Sequence, residues 1–263
     1  MNNKYIGVFD SGIGGLTVVK AIMEALPNEN IVYFGDTLNS PYGDKKESQI
    51  IELAKQDAKF LEQFDLKALV IACNTADAIA RNTIMKMYDT PVFGVVGPAS
   101  KYACAISTNK KIGVIATTAA INSKAYEKAI KKIDENVAVY SNACPLLVPL
   151  VEQGKFTDDC IETKEILAGY LKPLLDKGID SLILGCTHYP LLANMVKQIA
   201  PNINIISSSQ AAAEKIKADL TKLDMLSDEL IERQFYVSSN PEGLAKLANI
   251  FINNFNYEVK LKW

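Results

Sequence analysis

Two segments that lie 113 positions apart share one pattern, and they determine the fold that we predict. Leu69–Ala76 reads LVIACNTA and Leu182–Tyr189 reads LILGCTHY. Each begins as a short apolar run typical of a buried parallel strand, and a small residue, a cysteine and polar side chains follow. We therefore expect Cys73 and Cys186 at the ends of two corresponding strands. Two thiols placed in this way can face one cleft, where chemistry on carbon can use one as a proton acceptor and the other as a proton donor.

A second pair of segments indicates an internal repeat. Ile6–Ser11 aligns with Ile112–Thr117 at an offset of 106, in the same order as the cysteine segments. Short apolar runs alternate with amphipathic stretches along the chain, which predicts βαβ units and parallel sheets. The predicted strands are Tyr5–Asp10, Asn30–Phe34, Ala68–Ala72, Val92–Val96, Lys111–Ala116, Val137–Tyr140, Ser181–Leu184, Ile203–Ser207, Gln234–Ser238 and Tyr257–Trp263. The predicted helices include Leu16–Leu26, Ser48–Phe64, Ala119–Ile133 and Asp158–Leu175.

These elements predict an α/β fold with two pseudo-symmetric domains, each a mostly parallel sheet flanked by helices. The first domain would comprise residues 1–97 and 210–263, so that the C-terminal tail packs back on it, and the second would comprise residues 98–209. Ligands of open α/β sheets bind beyond the carboxyl ends of the strands. Both cysteines are predicted at such ends, so we expect the active site in the cleft between the domains.

The composition excludes several classes of protein. The 263 residues carry a formal net charge of −2, which gives no electrostatic basis for a nucleic-acid partner. No apolar run is long enough to span a membrane, and no secretory signal is visible at the N-terminus, so we expect a cytoplasmic protein. Five cysteines without a C-x-x-C pair fit free thiols better than a disulfide scaffold.

The segment Asp10–Gly15 places glycines directly after the first predicted strand. Such glycines allow a tight turn and a close approach of a ligand to backbone N–H groups. Gly12 and Gly14 fit a dinucleotide fingerprint, but Thr17 occupies its third glycine position, and Asp10 would repel a pyrophosphate. A nucleotide site and a plain strand-to-helix turn both remain open for this segment.

Structural or metal-binding interpretations also exist for the other candidate residues. Cys73 and Cys186 could be buried structural cysteines, or they could bind a metal together with His188, the only histidine of the chain. The matched contexts of the two cysteines favour chemistry, and a histidine two positions from a thiol is a natural proton partner. Pro41–Gly43 could be an ordinary surface turn, and Glu152 could belong to a solvated helix face.

Taken together, seven motifs resemble those of the glutamate racemases, which belong to the cofactor-independent aspartate/glutamate racemase superfamily. They appear in the family's order and cover roughly residues 5–210. The motifs are Phe9-Asp10-Ser11-Gly12-x-Gly14-Gly15, Tyr33-Phe34-Gly35-Asp36-Thr37, Pro41-Tyr42-Gly43, Ala72-Cys73-Asn74-Thr75-Ala76, Ala143-Cys144-Pro145-Leu146, Val148-Pro149-Leu150-Val151-Glu152 and Gly185-Cys186-Thr187-His188-Tyr189-Pro190-Leu191-Leu192.

The resemblance implies interconversion of L- and D-glutamate without cofactor or metal, which supplies D-glutamate for bacterial peptidoglycan. Cys73 would take the α-proton of D-glutamate and Cys186 that of L-glutamate. Asp10 would assist the first thiol, and His188 and Glu152 the second. The implied substrate contacts are Asp10, Ser11, Pro41, Tyr42, Gly43, Asn74, Thr75, Thr118, Thr187 and His188.

Some expectations stay open at this stage. A sister racemase that acts on aspartate or on several amino acids is the main alternative, and a ligand-binding module or a non-catalytic role are further ones. We also expect a homodimer. Gly97 stands where many glutamate racemases have an acid before the proline, and this departure could alter the hinge or the dimer contacts. The only arginines are Arg81 and Arg233, which argues against arginine clamps for the substrate carboxylates.

Overall fold

The strands form two separate parallel sheets in the computed structural model, which describes residues 4–252 and 254–262. The strands are β1 Tyr5–Asp10, β2 Asn30–Gly35, β3 Leu66–Ile71, β4 Val92–Gly94, β5 Lys111–Ala116, β6 Ala138–Ala143, β7 Ser181–Gly185, β8 Asn204–Ser207, β9 Arg233–Val237 and β10 Val259–Leu261. The helices are α1 Leu16–Ala25, α2 Glu47–Leu61, α3 Asn74–Met85, α4 Val96–Ile106, α5 Thr118–Asn122, α6 Ala125–Ile133, α7 Leu147–Glu152, α8 Ile161–Leu175, α9 Ala193–Ile199, α10 Ser208–Lys222 and α11 Pro241–Phe251, with a 3₁₀ helix at Tyr189–Leu192.

The larger sheet has the order β10-β9-β2-β1-β3-β4, and the smaller has the order β6-β5-β7-β8. All the strand pairs are parallel. Parallel neighbours need crossover connections, and helices supply these and cover both faces of each sheet. Central strands such as β2 are consequently buried along their whole length. Among the described helices, none is both long and apolar enough to cross a bilayer.

The two sheets have the same internal arrangement, which confirms the predicted fold class. β1 lies between β2 and β3, and β5 lies between β6 and β7 in the same way. Cys73 follows β3 and Cys186 follows β7, so the two thiols occupy equivalent positions beside the central strands. The offsets of the sequence repeat therefore correspond to equivalent strands.

The C-terminal tail extends the larger sheet. β9 pairs with β2, and β10 pairs with β9 at the edge. α11 packs in the same apolar cluster as α1 and α10, where Phe251 is buried. The predicted domain boundaries at 97/98 and 209/210 fall within the first turns of α4 and α10. The boundaries themselves stay a prediction.

Several predicted bounds differ from the structure, and three of these differences have a clear position in the chain. The helix predicted at Ala119–Ile133 is two helices, because Lys124 adopts a left-handed conformation (φ 56°) and the Ser123 hydroxyl accepts a hydrogen bond from the Ala125 N–H at 3.2 Å. The strand predicted to Val96 ends at Gly94, because the Asp77 carboxylate accepts the Val95 and Val96 N–H groups at 2.9 and 2.7 Å and caps α4. The final strand covers Val259–Leu261, and Trp263 lies outside the described residues.

Candidate active site

Cys73 lies where the chain passes from β3 into α3. Its Sγ atom accepts a hydrogen bond from the Ala76 N–H at 3.5 Å, as a helix-capping atom would, and the thiol donates to Ser11 Oγ at 3.5 Å. Burial raises the pKa of the Cys73 thiol to about 12, and the nearby charge of Asp10 adds to that rise. Cys73 therefore rests as a neutral thiol and can act as a proton donor.

Asp10 ends β1 and is fully buried beside Cys73. Its Oδ2 atom accepts the Gly12 N–H at 2.9 Å, whereas Oδ1 has no hydrogen-bond partner within the described part of the chain. Burial raises the pKa of this carboxyl group, and the positive charge of His188 lowers it. Because Asp10 occupies an N–H group of the glycine turn, that turn is poorly suited to bind a phosphate.

Cys186, His188 and Glu152 form a relay on the other side of the site. His188 Nδ1 lies 3.8 Å from Cys186 Sγ, and His188 Nε2 lies 3.2 Å from Glu152 Oε1. Burial would lower the pKa of His188, but the hydrogen bonds and negative charges of Cys186 and Glu152 raise it to about 10. His188 is therefore protonated at neutral pH, and a thiolate at Cys186 and the imidazolium stabilise each other. Glu152 lies at the end of α7 with its side chain 38% exposed, so it is only partly solvated.

The imidazole of His188 lies between Gly14, in the turn after β1, and Phe251 of the C-terminal tail. A Cβ atom on Gly14 would lie 2.5 Å from His188 Cε1 and 2.3 Å from Thr187 Oγ1, so only glycine leaves room for these groups. On another side the ring meets the ring of Phe251 edge-on, with 5.9 Å between centroids. The turn after β1 thus fixes the proton partner of the thiol that follows β7.

Hydroxyl and amide groups join the two sheets around the thiols. Thr75 Oγ1 lies 2.8 Å from Thr117 Oγ1, and Asn74 Nδ2 donates to Tyr126 Oη at 2.7 Å. Thr187 is buried, and its carbonyl oxygen accepts from Thr17 Oγ1 at 3.0 Å. The strand ends of the two sheets therefore meet, as expected for a site between domains.

The Pro41–Gly43 turn reaches the same region mainly through its backbone. Gly43 packs on Thr117, because an added Cβ atom would lie 2.9 Å from Thr117 Cβ, and its carbonyl oxygen accepts the Ala119 N–H at 3.0 Å. Tyr42 is buried, so the turn is not an ordinary surface turn, whereas Pro41 is exposed. The Tyr42 hydroxyl contacts two aspartates, Asp36 and Asp57.

Two neighbours of the site were not predicted from the sequence. Thr117 caps α5 and bonds to Thr75, and the repeat offset of 106 could have identified it, because it corresponds to Ser11. Tyr126 lies close to both thiols: burial raises its pKa, and the charges of Cys186 and Cys73 contribute to the rise. No motif marks Tyr126. Thr118, which was predicted, is the first residue of α5 and is half-buried.

Positively charged side chains other than His188 are scarce among these residues. Arg81 pairs with Asp77, and Arg233 donates to the Pro27 carbonyl oxygen, so neither arginine is directed to the thiols. Within residues 4–252 and 254–262, no group of three or more His, Cys, Asp or Glu side chains is placed to hold a metal ion.

Comparison with known proteins identifies the family. The model of the Asp/Glu/hydantoin racemase family matches residues 29–216, which is more than half of the chain. The chain belongs to this family. It is therefore an amino-acid racemase, an isomerase, as the motifs predict.

Individual members of the racemase family agree over nearly the whole chain. A glutamate racemase of Thermoanaerobacter pseudethanolicus is 42% identical over 254 residues, which cover 96% of this chain and 94% of that protein. The crystal structure of a glutamate racemase isoform from Bacillus anthracis superposes with a TM-score of 0.93 at 36% identity, over 99% of this chain and 97% of the other. The glutamate racemase from Francisella tularensis, solved in complex with D-glutamate, gives a TM-score of 0.91 at 37% identity with the same coverage.

Proposed function

We propose that the protein is a glutamate racemase that interconverts L- and D-glutamate by two-base proton transfer between Cys73 and Cys186, without a cofactor. The observation that carries the proposal is the placement of two buried thiols at equivalent strand ends, each beside its own ionisable partner. The similarity to glutamate racemases, one of them solved with D-glutamate, supports glutamate as the substrate.

The two thiols would act from opposite faces of the α-carbon. With L-glutamate, the Cys186 thiolate takes the α-proton, and the Cys73 thiol gives its proton to the other face, which yields D-glutamate. With D-glutamate, Cys73 must act as the thiolate and Cys186 as the thiol. Each turnover thus exchanges the protonation states of the two sulfurs, and a return of protons through the solvent or through Asp10 and His188 resets them.

The two thiols have different ionisable neighbours in the free protein. The protonated imidazole of His188 stabilises a thiolate at Cys186, while burial and Asp10 keep Cys73 protonated. When Cys73 is to act as the base, Asp10 is the group that can receive or orient its proton. The two halves of the repeat therefore serve mirror-image substrates with different chemistry.

Neutral donors would bind the substrate carboxylates in place of arginines. The first N–H groups of a helix have no partner within the helix, and α3 begins at Asn74, directly after the thiol. Ser11, Asn74, Thr75, Thr118 and Thr187 add side-chain groups, and Gly43 adds backbone. Both thiols are shielded from solvent, since Cys73 is 5% and Cys186 is 6% exposed.

The test is solvent deuterium incorporation by purified, metal-free protein in heavy water. We expect α-deuteration and loss of optical activity with L-glutamate, with no effect of added pyridoxal phosphate. Cys73→Ser and Cys186→Ser should each abolish racemisation, because a serine hydroxyl is a far weaker acid than a thiol. Cys104→Ser is the control, since Cys104 lies away from the described relay and is half-buried. Near-normal turnover in either catalytic variant would refute the mechanism.

The alternative is an aspartate or broad-specificity racemase of the same superfamily. L-aspartate measured separately by circular dichroism distinguishes it, because faster racemisation of aspartate excludes glutamate as the preferred substrate. For the cell, we propose that the protein supplies D-glutamate for peptidoglycan and hence supports cell shape in the bacterial cytoplasm. Growth of a bacterium that requires D-glutamate should be restored by the wild-type gene and not by Cys73→Ser. We also propose a homodimer, which sedimentation analysis of the purified protein can test.

A further inference from the structure

A second buried acid cluster lies beside the site and takes no part in the proton transfers above. Asp36 follows β2, Asp57 lies in α2, and Tyr42 belongs to the turn between them. The Tyr42 hydroxyl lies 2.7 Å from Asp36 Oδ2 and 2.7 Å from Asp57 Oδ2. All three side chains are at most 3% exposed.

The number of protons in this cluster follows from the distances. A phenol hydroxyl has one hydrogen and can donate to only one carboxylate. The second oxygen–oxygen contact at 2.7 Å needs a hydrogen as well, because two lone pairs would repel each other at that separation. One of the two carboxyl groups must therefore be protonated.

The surroundings identify which group holds the proton. Asp36 accepts hydrogen bonds from Ser238 Oγ at 2.7 Å and from Asn39 Nδ2 at 3.1 and 3.0 Å, and these donors stabilise its negative charge. For Asp57, Tyr42 is the hydrogen-bond partner seen in the described part of the chain. We propose that Asp57 carries a proton at neutral pH and donates it to Tyr42, which donates to Asp36, and that this chain positions the turn bearing Gly43.

The charges around Asp57 agree with this assignment. Burial is the largest influence that raises the pKa of Asp57, and the charges of Asp36 and Asp10 raise it further. The Tyr42 hydrogen bond and the charge of Lys262 lower it. Lys262 Nζ lies over the rings of Phe34 and Phe60, at 5.0 and 5.5 Å from their centroids. Burial raises the pKa of Tyr33, and the charge of Asp57 contributes to that rise.

The turn connects this cluster to the site, so the inference rests on the proposed function for its catalytic consequence. Gly43 contacts Thr117 and bonds to the first turn of α5, and Thr117 bonds to Thr75, two residues after Cys73. A second negative charge at Asp57 would repel Asp36, break the chain at Tyr42 and loosen the turn. Asp57 is thus a positioning residue rather than a catalytic one.

Infrared difference spectroscopy tests the proton directly. The wild-type minus Asp57→Asn difference spectrum at pH 7 should contain the carbonyl band of a protonated carboxylic acid. Asp176→Asn, which changes an exposed aspartate, is the matched control and should keep it. A wild-type minus Asp57→Asn difference spectrum without that band would overturn the proposal.

Stability against pH gives a second test that needs no activity. An unfolded aspartate titrates near pH 4, so between that pH and the higher folded pKa the folded state holds one more proton. The folding equilibrium constant of wild type should therefore fall about tenfold per pH unit relative to Asp57→Asn, from about pH 5 upward. Parallel pH curves for the two proteins would overturn the proposal.

Steady-state kinetics test the positioning role. Asp57→Asn keeps a neutral donor for Tyr42 and should preserve KM for glutamate, whereas Asp57→Leu removes the donor and should raise KM about tenfold with a smaller change in kcat. Equal KM values for Asp57→Leu and wild type would refute the positioning role. If wild type itself does not racemise glutamate, the proposed function fails, and the infrared and pH tests still decide the protonation of Asp57.

Discussion

Gly14→Ala should damage catalysis through His188. The new Cβ atom would lie 2.3 Å from Thr187 Oγ1, 2.5 Å from His188 Cε1 and 2.6 Å from His188 Nδ1. Contacts between heavy atoms are optimal at about 3.5–4.0 Å, so something must move by about 1 Å. The Thr187 backbone carbonyl accepts from Thr17, and the His188 ring is held by Glu152 and Phe251, so relief of the clash should disturb the His188 ring.

The size of the effect follows from that displacement. A shift of about 1 Å at a catalytic group costs on the order of 100-fold in rate, or about 2.7 kcal/mol in transition-state stabilisation. Overpacking should also lower the free energy of unfolding by about 1–3 kcal/mol. Because L- and D-glutamate have equal free energies in water, kcat/KM must fall by the same factor in both directions.

The assay is circular dichroism with each enantiomer, followed by isotope effects that locate the damage. In the proposed mechanism His188 assists Cys186, so removal of the α-proton from L-glutamate should become the slow step in Gly14→Ala. Deuterium at the α-carbon should then slow L-glutamate more than D-glutamate. Gly169→Ala is the control, because Gly169 lies within α8 with no atom within 4 Å of an added Cβ, and alanine there should stabilise the helix by about 0.5–1 kcal/mol. A Gly14→Ala enzyme within threefold of wild type would refute the assignment of His188.

Two further predictions concern stability. His188 has a folded pKa of about 10 against 6.5 when unfolded, so its contribution to the free energy of unfolding, on the order of a few kcal/mol, is fully present below about pH 6.5 and is lost as the pH rises through about 10. The free energies of unfolding of wild type and His188→Asn, measured with denaturant at pH 6, 8 and 10, should therefore converge as the pH rises. A constant difference between the two proteins would contradict the charge assignment. Lys67→Met should lower the free energy of unfolding by about 3–5 kcal/mol, because it leaves the fully buried Glu29 without its ion-pair partner. A urea titration that shows a loss of less than about 1 kcal/mol would contradict this expectation.

Strands that the sequence marks by uninterrupted apolar runs were predicted well. β1 and β5 have the predicted bounds, because each is a buried central strand whose end is marked by a polar residue. The equivalence of Cys73 and Cys186 also followed from the sequence, since the same supersecondary unit places both. The break at Lys124 could not be predicted, because a single left-handed residue leaves the helical pattern on either side unchanged.

The parts of the site that escaped prediction depend on tertiary contacts. Asp57 lies on the buried face of α2 together with Ile50, Ala54, Ala58 and Leu61, and only the fold shows that it meets Tyr42. Tyr126 reaches both thiols from α6, a helix without any motif. The motif residues could be selected as candidates because short polar segments after buried strands are exceptional in a sequence, whereas a single polar residue in a helix is ordinary.

The position of β9 and β10 at the end of the chain has a consequence for biosynthesis. The smaller sheet is continuous in sequence from β5 to β8, so it can be complete while the last part of the chain is still being made. In the larger sheet, the edge of β2 stays unpaired until β9 has been synthesised. An unpaired strand edge can pair with other chains and so promotes aggregation. Phe251, whose ring contacts His188, is synthesised after β9. Chains that stop before β9 and Phe251 should therefore be both inactive and prone to aggregate.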